Sequence, residues 1–176
     1  ASGQLNLKAG GEPFYPALAE GVREGYQGGK WILTKEGPET WRRSIYSYWK
    51  RGLKFPMFDV HDQPDQNVTT EKRNVSTVPT QALTLLNGEF VLLQARYLAE
   101  RVLAEATDGE AAQVKRLYRI TLGRAPSENE LQVGLEFLRA ERAFHTADTS
   151  GLDAHQAALT NLSHVMLNTN EFLYIN

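Results

Sequence analysis

The chain has 176 residues, of which 41% are hydrophobic and 23% charged, and its formal net charge is −2. That is enough for one domain with a real core, and the balance gives no electrostatic pull toward nucleic acid or an anionic membrane. No apolar run approaches the length of a membrane span, and the absence of cysteine excludes disulfides, thiolate metal sites, Cys nucleophiles and covalent c-type haem attachment within the segment.

The start, ASGQLNLKAGG, has no initiator Met, basic n-region or apolar h-region, so it is expected to be an internal or processed segment. Residues 1–40 are rich in Gly and Pro and predict an extended arm. Phe14, Tyr15, Leu18, Trp31 and Leu33 are its expected anchors, because a disordered arm would rarely carry so many large apolar residues. In residues 41–58, WRRSIYSYWKRGLKFPMF, Trp41, Ile45, Tyr48 and Trp49 fit one helical face. Alternation about Ile45, Ser47 and Trp49 fits a strand, and the aromatic content favours a small β element around residues 44–58. Residues 59–75 are polar and predict a loop.

From Ser76 onward the pattern is helical. Ser76 or Thr77 is placed to cap a helix with Pro79 in its first turn. Asn87-Gly88 interrupts it, with Asn87 as the next cap, and Val91, Ala95, Leu98 and Val102 form an apolar stripe. Asp108 is placed to cap a helix with the face Val114, Leu117, Tyr118, Thr121 and Leu122, ended by Gly123. Ser127 and Glu130 form a capping box ahead of Leu131, Leu135 and Leu138. A last helix carries Leu152, His155, Leu159, Leu162 and Met166, and a short turn of helix follows Asn168-Thr169-Asn170. The expected fold class is therefore mainly α: a helical bundle of about four to five helices with an extended N-terminal arm. All 176 residues are expected to form a single domain, with 1–40 as the arm, 41–75 as the aromatic segment and acidic loop, and 76–176 as the bundle.

Two constellations could carry chemistry. Asp59, His61, Asp62, Asp65 and Glu71 crowd one loop, but with no Gly at the sixth position and no Glu at the twelfth they fit no EF-hand. Asx-type turns and ion pairs of Asp62 or Asp65 with Arg73, Arg42 or Arg43 are the favoured reading. Arg42, Arg43, Lys50, Arg51 and Lys54 interleave with Trp41, Tyr46, Tyr48, Trp49 and Phe55. That pattern serves a stacking platform for sugar rings or single-stranded nucleic acid, or more simply a core rimmed by cations. The ligand-binding candidates are Trp41, Arg43, Tyr46, Tyr48, Trp49, Asp62, Asp65 and Arg73.

No catalytic residue and no metal ligand set is assigned. The histidines at 61, 145, 155 and 164 show no H-x-x-x-H spacing, and no Gly-x-Ser-x-Gly elbow, P-loop or GxGxxG occurs. His155 and His164 read as satisfied helix residues. Thr80, Gln81 and Asn87 read as capping and buried amide groups. The three N-x-[ST] matches, at Asn67, Asn74 and Asn161, are of a length that arises by chance.

The runs RRSIYSYWKRGLKFPMFDVHDQPDQN, RNVSTVPTQALTLLNGEFVLLQARYLAERVL, LYRITLGRAPSENEL and LSHVMLNTNEFLYIN, with SGQLNLKAGG at the start, resemble one family. It is the C-terminal domain of unknown function of planctomycete-type cytochrome proteins, found in Planctomycetes, Acidobacteria and relatives. The resemblance implies an exported multidomain polypeptide at the periplasm or cell surface, with cytochrome-c-like modules elsewhere and no cofactor in this segment. The implied partners are the other domains of that polypeptide; the aromatic segment adds a surface polysaccharide as a second kind, and the net charge of −2 argues against nucleic acid. The expected function is a structural or interaction module. The alternative is a carbohydrate-binding module or a non-catalytic part of a carbohydrate-active enzyme. The sequence departs from the family's pattern where an aromatic is usual and His61 stands, and where a Cys-Pro-Arg-Arg segment is replaced by Thr70-Glu71-Lys72-Arg73.

Overall fold

The computed structural model describes residues 1–18, 31–32, 34–50, 52–53, 55–65, 67–72, 74, 76–146 and 153–174. The helices are α1 (Pro56–Val60), α2 (Pro79–Asn87), α3 (Glu89–Glu105), α4 (Glu110–Leu122), α5 (Glu128–Thr146), α6 (Ala154–Leu167) and α7 (Asn170–Leu173). The mainly helical expectation holds. The chain divides into two compact units, one of Gln4–Thr84 and one of Ala1–Gly3 with Leu85–Asn176.

In the first unit the arm is ordered by backbone pairing. Asn6 N donates to Trp41 O at 2.9 Å, Phe14 N to Tyr46 O at 3.0 Å, and Tyr48 N to Phe14 O at 2.7 Å. These pairs form only isolated bridges, Asn6 with Arg42 and Phe14 with Ser47. The expected β element around 44–58 is therefore corrected. Ser44–Tyr46 is a turn of 3-10 helix that lies between the two bridges and interrupts the extended run, and Pro56 opens α1 at its first position, where a missing N–H costs nothing. No strand forms among the described residues.

Of the expected arm anchors, Phe14 is buried while Tyr15, Leu18 and Trp31 are half-buried, and Leu33 lies outside the described residues. Gln81 is the one buried side chain of α2. Its amide donates to Val60 O at 2.8 Å and Ser76 O at 3.2 Å, and its Oε1 accepts from Val78 N at 3.4 Å. Gln81, in the first turn, thus reaches back to the backbone N–H of Val78 just before the helix, while the Ser76 hydroxyl, expected as a cap, donates to Asp62 at 2.7 Å.

The second unit is the bundle. Val91, Ala95, Leu98 and Val102 of α3, Val114 and Leu117 of α4, Leu138 of α5, and Leu159, Leu162 and Met166 of α6 are all buried. The α3 stripe sits where its 3.6-residue period placed it, whereas Tyr118, Thr121 and Leu122 of α4 and Leu131 of α5 are half-buried. α6 packs along both α3 and α5, and α4 bridges them. Gly123 closes α4 in the left-handed conformation at φ 72°, as expected of a C-terminal glycine. The Ser127–Glu130 box is reciprocal: Ser127 N donates to Glu130 Oε2 at 2.7 Å and Glu130 N to Ser127 Oγ at 3.3 Å.

Two more caps, both in the bundle, differ from expectation. Asn87 ends α2 and Gly88 is the N-cap of α3, its carbonyl accepting from Val91 N and Leu92 N. Gly109, not Asp108, precedes α4 at φ 95°, a backbone setting open to glycine and costly for aspartate. Leu152 lies outside the described residues, and α6 is capped by Asp153, whose carboxylate accepts from His155 N at 3.1 Å. Leu135, expected in the buried stripe, is half-buried. Gly134 occupies the buried position beside it.

Candidate functional site

Trp41, Tyr46 and Tyr48 of the aromatic candidates each make contacts within the chain. Tyr48 stacks on Tyr15 with ring centroids 4.3 Å apart, and Trp31 meets both rings edge-on at 5.4 and 5.9 Å. Trp31 Nε1 also donates to Pro16 O at 3.0 Å. Tyr46 lies under the Arg42 guanidinium, 4.1 Å from its centroid, and its hydroxyl accepts from Gly10 N at 3.2 Å. Trp41 Nε1 donates to Glu36. Trp41, Tyr46, Tyr48 and Trp49 are each half-buried, while Arg43 is exposed. Such amphipathic rings bury their faces and direct the polar handle to a partner, and here the partners identified belong to this chain.

Arg42, one of the basic residues between these rings, is 6% exposed. Its guanidinium donates to Glu12 O at 3.0 Å, to Lys8 O at 3.4 Å and to Gly10 O. A planar fork of donors suits carbonyls arrayed on a curved loop, so Arg42 shapes residues 8–12 of the arm.

In the acidic loop, Asp62 has a left-handed backbone, φ 57°, of the kind Asp tolerates better than most residues. Its Oδ2 accepts from Ser76 N and Ser76 Oγ, each at 2.7 Å. Asp65 Oδ1 accepts from Asn67 N and Nδ2, each at 2.9 Å, an Asx-type turn. The His61 ring donates from Nδ1 to Met57 O at 2.7 Å. Arg73, the third basic candidate, lies outside the described residues, and so does any pairing with it. Among the described residues, no group of three His, Asp or Glu converges to hold a metal ion.

The bundle unit contains polar centres that the residue pattern did not single out. Arg124 is bidentate to Glu130 at 2.9 and 2.7 Å and also reaches Glu171 at 2.6 and 2.8 Å. The guanidinium, followed by Ser127 N, pulls the Glu130 carboxyl down to about 2, and the same Arg lowers Glu171. Tyr118, 5.7 Å beneath Arg124, is pushed up by burial and by the Glu130 charge.

A second centre joins α4, α5 and α6: Glu110 pairs with Arg142, and His155 Nε2 bonds Gln113 Oε1 at 2.9 Å. A third borders a cleft of about 230 Å³ lined by Arg96, His145, Gln156, Thr160 and Asn161 among others. There Asn161 Nδ2 donates to Glu141 at 2.6 Å and to His145 Nε2 at 3.2 Å. The available signal was a polar residue in a core register, such as Gln113 four residues before buried Leu117.

One surface is not consumed by the body of its own unit. On α5, Val133, Phe137, Ala140 and Phe144 recur at i, i+4, i+7 and i+11, a second apolar stripe about 100° from Gly134 and Leu138. Val133 is 56% exposed and Phe144 71%; Ala140 is exposed and Phe137 half-buried.

Nothing among curated proteins or solved structures matches the chain. A family model matches residues 1–138, under the description "PSD1: Protein of unknown function (DUF1553)". The matched span runs from the arm through α4 to buried Leu138, and so contains the aromatic segment, the acidic loop and the Ser127–Glu130 box. The chain belongs to this family of proteins of unknown function.

Proposed function

We propose that the chain is a non-catalytic interaction module that packs, through the outer stripe of α5, on another part of a longer exported polypeptide carrying cytochrome-c-like modules elsewhere. The observation that supports this reading is the second apolar stripe, Val133, Phe137, Ala140 and Phe144, whose end residues are 56% and 71% exposed. Burying a Val or Phe side chain is worth roughly 1.5–3 kcal/mol, so a partner covering this face gains affinity without any buried charge. The polar clusters described above are bonded within the chain, which suits a framework better than a reaction centre. Placement at the periplasm or cell surface follows from the family resemblance. On the same resemblance haem is carried by the other modules, and this chain has no cysteine for covalent attachment.

The test is a photo-crosslinking amino acid at position 144 in the full-length polypeptide. Cross-linked peptides from outside this segment are expected, and Phe144→Asp should expose the segment to protease. A position 144 that cross-links nothing while remaining reactive to solvent quenchers would overturn the reading. Haem loading of the isolated segment should give no Soret band.

A further inference from the structure

We draw no further inference here: the strongest candidate, the cleft between α3, α5 and α6 lined by Arg96, His145, Gln156, Thr160 and Asn161, carries nothing because its side chains bond one another and nearby Glu100 and Glu141, so no ligand chemistry is selected.

Discussion

Gly134 of α5 faces Val114 of α4 so closely that a Cβ on the glycine would lie 2.9 Å from Val114 Cγ1. Val114 is fully buried, and its branched side chain is stiff about χ1. Two effects compete in Gly134→Ala. Helix propensity favours alanine by about 1 kcal/mol, while forcing an extra carbon into a packed contact costs about 1–3 kcal/mol. Net destabilisation is expected in a urea melt. In a Val114→Ala background the same change should become neutral or stabilising. A Gly134→Ala single variant more stable than the parent would show that the helices separate at little cost.

Leu98 and Leu135 should respond differently to truncation. Leu98 is 0% exposed, and Leu98→Ala is expected to cost about 2–5 kcal/mol, the range for a buried leucine. Leu135 is half-buried, so Leu135→Ala should cost about 1–2 kcal/mol. Equal losses for the two in denaturant melts would contradict this burial pattern.

The Arg124–Glu130–Glu171 cluster should make the bundle acid-sensitive. Glu130 is held at about 2, below its ordinary 4.5, and Glu171 is also lowered. A carboxylate whose folded value is depressed adds stability above its unfolded value and loses it as pH falls through the folded value. The contribution is therefore complete above about pH 4.5 and gone near pH 2. The melting-temperature gap between the parent and Glu130→Gln should be widest near neutrality and close toward pH 2. A gap independent of pH would remove the ionic cause.

Asp62 ties the acidic loop shut through Ser76. Asp62→Ala is expected to cost about 1–3 kcal/mol, since it removes an ionised acceptor of two bonds and puts alanine at positive φ. Asp62→Asn, which keeps an acceptor and tolerates that backbone, should cost less. Chelator and added Ca²⁺ should leave the melting temperature unchanged. A chelator-sensitive melt abolished by Asp62→Asn would make the loop a metal site.

Features whose cause lies within about four residues were legible in the sequence. The stripe Val91–Ala95–Leu98–Val102 follows from helical period, the Ser127–Glu130 box from an orphan N–H and a nearby carboxylate, and Gly123 from the left-handed backbone that ends a helix. The tertiary structure decided where competing partners existed. Ser76 could cap a helix or serve Asp62, fourteen residues earlier, and it serves Asp62. Arg42 could meet a loop carboxylate, and it meets the carbonyls of residues 8–12, some thirty residues away. Tyr48 could have lined a platform, and it stacks on Tyr15. In each case the residue types permit several bonds of similar strength, and the choice depends on which groups chain packing brings within hydrogen-bond or van der Waals range.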